Sequence, residues 1–235
     1  MKGKMALKLP AENLESRCIM HYSSSNKILL VGEGDFSFST CLAQAFGSAK
    51  NMTATSLDTL GEVMKYSEAR ENLKILSELG CQIIHGVDAL YMNRHPALEG
   101  HKFDRIVFNF PHAGFLYREP DQRQIILHQA VVSGFFKSAG EMLREGGQVH
   151  VTHKTSHPFN KWCIERLAND CGLRLFNNPS FYIFHYPGYN NKKGAGVNFD
   201  KSFPIGQCQT FIFNWYGNVD SCLIKILKFK RMYLN

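Results

Sequence analysis

The stretch Lys27–Thr40, reading KILLVGEGDFSFST, constrains this chain more than any other. Ile28, Leu29, Leu30 and Val31 form an unbroken apolar run, the pattern of a strand buried on both faces. Gly32-Glu33-Gly34-Asp35 then interrupts it with residues that suit a tight turn. Beyond the turn, Phe38, Leu42, Ala45 and Phe46 recur at helical spacing. Strand, glycine turn and helix in this order let backbone approach a nucleotide-like ligand closely. A bare G-x-G is weak by itself, so its meaning depends on the rest of the chain.

The rest of the chain is regular. Met52–Leu57 reads as a second strand with Asp58 at its C-terminal end. Thr59 and Glu62 have capping-box spacing, and Tyr66, Ala69, Leu73, Leu76 and Leu79 continue as one long amphipathic helix stopped by Gly80. Gln82–Val87 is a third strand ending on Asp88, and Phe103–Phe110 a fourth running into Pro111-His112. Asp121 opens a long helix, after which Gly146-Gly147 turns the chain into a fifth strand, Gln148–Thr152. A helix over Asn160–Cys171 and strands at Leu173–Phe176 and Gln209–Trp215 complete the pattern. Alternating strands and helices predict an α/β, Rossmann-like fold: a mostly parallel seven-stranded sheet with helices on both faces. In such sheets ligands bind beyond the carboxyl ends of the strands. Gly32 to Asp35, Asp58, Asp88 and Asn109 to His112 all fall just past strand ends and together define a rim.

The 235 residues show no internal linker, which predicts one domain over 27–216 between a mobile N-terminal tail, 1–26, and a basic extension, 217–235. No apolar run approaches the ~18 residues of a membrane span. Seven cysteines without C-x-x-C spacing read as buried thiols in a reducing compartment, and nothing in the sequence asks for a metal. A net charge of +7 is compatible with a polyanionic partner such as nucleic acid.

The rim suits either a dinucleotide or S-adenosylmethionine. Asp58, at the end of the second strand, is placed to accept hydrogen bonds from a ribose diol, and Asp88 to orient an adenine or cap a turn. Three features favour S-adenosylmethionine. The glycine pattern is not G-x-G-x-x-G, since Ser37 stands where the third glycine would be. Glu33 and Asp35 would repel a pyrophosphate but attract a sulfonium and an ammonium. Asn109-Phe110-Pro111-His112 comes after the fourth strand, where methyltransferases acting on planar nitrogens often carry an Asn-Pro-Pro-aromatic tetrad.

With these residues in view, the chain resembles the uridine-N3 methyltransferases of large-subunit ribosomal RNA. The matching stretches are VGEGDFSFS at 31–39, NLKILSELG at 72–80, HGVDA at 85–89, FDRIVFNFPHAG at 103–114, EGGQVHVTHKTSHPFNKW at 145–162 and YPGY at 186–189. The resemblance implies an S-adenosylmethionine loop formed by Gly32, Glu33, Gly34, Asp35, Phe36 and Ser37, with Asp58 and Asp88 at the ribose and adenine. It sets Asn109, Phe110, Pro111 and His112 beside the methyl group and target base, with His112 as candidate base and Phe110 stacking on a flipped ring. From their place at the end of the fifth strand, Lys154 could hold a phosphate and His153 could face the same cleft. The stretch Tyr186–Gly206 reads as a substrate flap, in which Tyr186 and Tyr189 stack on RNA and Lys192 and Lys193 contact phosphate. Asn190-Asn191 departs from the more basic run usual in the family. The expected setting is the nucleolus or nucleus, with the cytoplasm as alternative. A catalytically inactive RNA-binding module and, more remotely, a nicotinamide-dependent oxidoreductase are the rival readings.

Overall fold

The computed structural model describes residues 16–216. Its strands are β1 (Cys18–Ile19), β2 (Tyr22–Ser23), β3 (Ile28–Val31), β4 (Met52–Ser56), β5 (Gln82–His85), β6 (Phe103–Asn109), β7 (Leu143–Lys154), β8 (Leu173–Asn177) and β9 (Cys208–Trp215). The helices are α1 (Ser37–Phe46), α2 (Leu60–Val63), α3 (Ala69–Glu78), α4 (Gln122–Met142) and α5 (Ile164–Asp170). Seven strands pair in the order β5-β4-β3-β6-β7-β9-β8, all parallel except β9, which runs antiparallel to both neighbours. The order reverses between β3 and β6, so the loops after these two strands flank the crevice at the switch point.

The apolar run of β3 is buried on both faces, as its composition requires. Leu29 and Val31 join Phe135, Phe136 and Val132 of α4 on one side. Ile28 and Leu30 join Phe38, Leu42 and Phe46 of α1 on the other. Each such side chain, fully withdrawn from water, stabilises the fold by ~1.5–3 kcal/mol before chain entropy is counted.

Four sequence expectations change. The helix after Asp58 is not continuous. The capping box of Thr59 and Glu62 starts α2, but the chain leaves the helix at Met64 and restarts at Ala69. In the gap, Ser67 N–H donates to Asp200 at 3.3 Å and Tyr66 hydroxyl donates to Asp58 at 3.2 Å, contacts a regular helix would forgo. The helix over Asn160–Cys171 is likewise cut at Cys163, whose φ of 54° is left-handed, separating a 3₁₀ turn from α5. The fifth strand is longer than its apolar core, because residues before Gly146 also pair with β6 across a register shift. Finally, residues 16–26 are no mobile tail: β1 and β2 form a hairpin that buries Tyr22 beside His150 and Phe38. The basic extension, 217–235, and residues 1–15 lie outside the described residues.

Candidate active site

Two cavities open at the carboxyl ends of the strands, on either side of a wall made by Phe110, His112 and Phe203. The first is acidic, and Gly32, Glu33, Gly34, Asp35, Asp58 and Asn109 line it from the sheet side. The second is aromatic, about 260 Å³, lined by Phe115, Phe159, Trp162, His128, His153 and Lys154 among others. That volume lies just under the ~300–1,000 Å³ of drug-sized sites, a scale suited to one planar ring.

The glycine turn builds the acidic cavity. Gly32 has φ 68°, and a Cβ there would collide with the Phe108 ring. Gly34 is different. It has no positive φ, and a Cβ would make only ordinary contacts with Tyr66 and Lys192. The fold itself does not demand glycine at 34. Glu33 is buried, and Ser39 donates to its Oε2 from backbone N–H at 3.0 Å and from Oγ at 2.6 Å. Burial outweighs those bonds and pushes its carboxyl up to about 7. Asp35 Oδ1 accepts from Ser37 N–H at 3.0 Å and Oγ at 2.6 Å, while burial raises its carboxyl above the ordinary range.

Both amide atoms of Asn109 are buried with no hydrogen-bond partner among the described residues, and Asp35 Oδ2 has no hydrogen bond there, only the Lys192 ammonium at 3.7 Å. Unpaired buried polar groups cost ~1–3 kcal/mol each, and they accumulate where a ligand completes the bonding. An acceptor on Asp35, a donor and acceptor on Asn109 and a half-buried carboxylate on Asp58 fit the ammonium, sulfonium and ribose groups of S-adenosylmethionine.

The loop after β6 makes the shared wall. Phe110 N–H gives the last sheet bond, to Thr152 O at 2.8 Å, and Phe110 then adopts a left-handed φ of 49°. Its ring meets Phe181 and Phe203 edge-on, with centroids 5.8 and 5.3 Å away. Pro111 lines the aromatic cavity, and His112 lines both. The loop is tied to α4: Ala113 N–H donates to His128 Nδ1 at 3.0 Å, and Gln124 bonds both Gly114 O and Tyr117 N–H at 2.8 Å. Across the cavity, Trp162 stacks on His128 at 4.1 Å and leans on His153 at 4.3 Å. Lys154 Nζ sits between the rings of Phe159 and Phe203, 4.5 and 4.8 Å from their centroids. Desolvation lowers the affinity of His112 for a proton, and brings His128 and His153 to about 4. All three are neutral imidazoles at pH 7.

The structure moves some expected residues off the site. Phe36 is a fully buried core side chain packed against His85, so only its neighbours face the cavity. Ser37 Oγ donates to Asp35 at 2.6 Å and accepts from Asn190 N–H at 3.0 Å instead of lining the cavity. Asp88 is exposed and caps the next turn, accepting from Leu90 N–H at 2.9 Å; it lines neither cavity. Tyr186 stacks on Phe181 inside the core and offers no face to RNA. Tyr189 reaches the acidic cavity, but its ring is pinned between Phe38 and Phe181. Lys192 is no phosphate contact: its buried ammonium lies 2.8 Å from Asp200 and 3.7 Å from Asp35. Lys193 does line the aromatic cavity.

The flap therefore roofs the acidic cavity through residues 189–192, Gly194 and Phe203. Sequence reasoning missed His128, Trp162, Phe115, Phe159 and Phe203. One signal was available: Gln124 and His128 are polar residues four apart on the otherwise apolar face of α4.

A Rossmann-like sheet, a carboxylate-flanked glycine turn and an acid after β4 define an S-adenosylmethionine-dependent methyltransferase. More narrowly, residues 29–193 match the BMT5-like family, described as rRNA (uridine-N3-)-methyltransferase, and the chain belongs to that family. It is 50% identical over 204 residues to the uncharacterized protein At4g26485 of Arabidopsis thaliana, covering 85% of this chain and 98% of that one. It is 48% identical over 216 residues to heavy metal-associated isoprenylated plant protein 41 of the same plant, covering 92% of this chain but 42% of that longer protein. The 25S rRNA (uridine(2634)-N(3))-methyltransferase of Saccharomyces cerevisiae is 24% identical over 77% of this chain and 70% of its own. Among solved structures, NSun6 from Pyrococcus horikoshii with SFG shares the fold, with TM-score 0.56 and 16% identity over 83% of this chain and 49% of that one.

Proposed function

We propose that this protein methylates RNA, and that its target is N3 of a uridine in large-subunit ribosomal RNA. The observation that carries the reading is the shared lining: one loop, Phe110 to His112, is where a cavity suited to a cationic cofactor adjoins a cavity suited to a planar ring. When bound, S-adenosylmethionine would supply an electrophilic methyl group, and Asp35, Asp58 and Asn109 are the residues that would hold it.

The chain does the rest. Ring chemistry inside a duplex requires the base to leave the stack, and the aromatic cavity replaces base stacking with Phe110, Phe115 and Trp162. His112 Nδ1 accepts from Gly114 N–H at 3.0 Å, so a neutral His112 carries its proton on Nε2 and can donate to a ring carbonyl. Lys193 and Lys154 supply positive charge at the same cavity, where the RNA backbone must pass. Holding ring and methyl donor in adjoining cavities that share this loop supplies positioning, worth up to ~7–11 kcal/mol in favourable intramolecular systems. The family description and the yeast relative's name support uridine N3 in ribosomal RNA as the acceptor. That substrate assigns the protein to the nucleolus or nucleus.

The test is to incubate the purified chain with methyl-labelled S-adenosylmethionine and unmodified large-subunit RNA, then digest to nucleosides. Label in N3-methyluridine is expected. Label in another nucleoside would overturn the acceptor assignment. Cofactor binding without transfer to any RNA would favour the inactive RNA-binding module.

A further inference from the structure

Three neutral histidines surround the aromatic cavity, and for His112 and His153 hydrogen bonds to the backbone fix which ring nitrogen carries the proton. A neutral imidazole has one donor and one acceptor nitrogen. His112 spends its acceptor, Nδ1, on Gly114 N–H at 3.0 Å. His128 spends its own on Ala113 N–H at 3.0 Å, and its Nε2 abuts the Gln124 amide at 3.1 Å. His153 is the reverse. Its Nε2 lies 3.2 Å from the carbonyl oxygen of Phe159, which can only accept, so the proton is on Nε2 and the lone pair on Nδ1. That Nδ1 has no hydrogen-bond partner among the described residues, although His153 is 4% exposed and lines the cavity.

Resting on the uridine-N3 reading, we infer that His153, through Nδ1, accepts the N3 proton of the target base, while His112 Nε2–H only donates to a ring carbonyl. The sequence alone favours His112 as base, but Gly114 occupies the lone pair that role needs. In the step, the N–H bond breaks with its electron pair left on N3 and its proton going to Nδ1. N3 uses that pair to bond the methyl carbon supplied by the cofactor, whose former bonding pair stays on sulfur. One positive charge is lost at sulfur and one appears on His153, so net charge is unchanged until the proton leaves to water. The charged and titratable groups facing His153 are Lys154 beside it on β7, His128 of α4, His112 of the wall, and Glu119 and Lys193 lining the aromatic cavity. On its other side lie Cys163, Glu165 and Arg166.

The test uses the full chain with unmodified RNA under single turnover, comparing wild type, His153→Gln and His112→Phe between pH 6 and 9. Glutamine keeps the donor to Phe159 but has no basic nitrogen. A general base contributes ~10²–10⁴-fold, and one held at about 4 works at the low end of that range, so His153→Gln should lose ~10²-fold near neutrality and recover about tenfold per pH unit as hydroxide substitutes. RNA carrying 5-fluorouridine, whose N3 proton is more acidic, should rescue His153→Gln and not His112→Phe. Cofactor affinity by calorimetry should be unchanged in His153→Gln, because His153 does not line the acidic cavity. Nitrogen-15 spectra of the wild type should show the Nε2–H tautomer for His153, and this readout needs no activity and no variant. A His153→Gln defect that is constant across pH and not rescued, or an Nδ1–H tautomer, overturns the assignment. Failure of wild type to form N3-methyluridine would instead sink the acceptor reading, with the tautomer result left standing.

Discussion

Replacing Glu33 by Gln should stabilise the protein without ligand, by an amount that depends on pH. Glu33 is 8% exposed and its carboxyl is raised from 4.5 to about 7, chiefly by burial. A group raised on folding stabilises fully below its unfolded value and loses that contribution as pH climbs through its folded value. Above pH 7 the wild type must therefore hold a buried carboxylate. The interval between 4.5 and about 7 converts to roughly 3 kcal/mol, at ~1.4 kcal/mol per pH unit. Glutamine removes that burden while its carbonyl still accepts both bonds from Ser39. The ceiling on the gain is thus ~3 kcal/mol at pH 8, or roughly 6–12 °C in Tm for a domain of this size. Urea unfolding of both proteins at pH 8, 6 and 4 measures it. The two curves should separate at pH 8 and converge by pH 4, where wild-type Glu33 is protonated. The same substitution should weaken binding of a cationic cofactor. Equal stability at pH 8, or a gap that persists at pH 4, would refute the reasoning.

The same geometry predicts three further outcomes. Gly32→Ala should cost ~1–3 kcal/mol, because alanine must hold φ 68° against the Phe108 ring; chemical denaturation of the variant checks this. Asn109→Ala should keep or raise stability, since both amide atoms are buried without partners among the described residues, while cofactor binding or transfer falls; calorimetry and turnover must move against the unfolding midpoint. His128 and His153 are depressed to about 4 in the folded state, so unfolded chains bind more protons below 6.5 and stability falls as pH drops from 6.5 towards 4. His128→Gln should flatten that decline in an unfolding series across the interval.

What the sequence made legible was what local pattern dictates. A continuous apolar run marked β3 and short segments ending on an acid or an Asn-Phe-Pro turn marked β4 and β6, and the residues just past their ends formed the acidic cavity because parallel strands bring their carboxyl ends to one side. Spacing could not show where a helix is broken by a distant partner, as when Asp200 takes Ser67 N–H across 133 residues. Nor could residue type alone tell a stacking tyrosine from a core one. Tyr186 and Tyr189 stand in a polar, glycine-rich stretch, yet that stretch folds back onto Phe38 and Phe181. The aromatic cavity was the least legible part. Its walls come from the loop after β6, α4, the turn after β7 and the flap, and only the fold joins them. Which histidine holds a lone pair depends on backbone bonds to Gly114 and Phe159, so composition could not assign it.

Lys192 has a consequence for how the acidic cavity meets a cation. Its ammonium already stands 3.7 Å from Asp35 and 2.8 Å from Asp200, on the segment that roofs the cavity. A cationic ligand at Asp35 does not meet a bare carboxylate. Its binding there would be an ion exchange, trading one buried ammonium contact for another while Lys192 keeps its contact with Asp200. The affinity is then set by the difference between two similar contacts, which is small, rather than by the attraction of one, which is large. Such a cavity discriminates by shape and by its neutral hydrogen-bonding groups more than by charge. The roof and the floor thereby read the same bound molecule together.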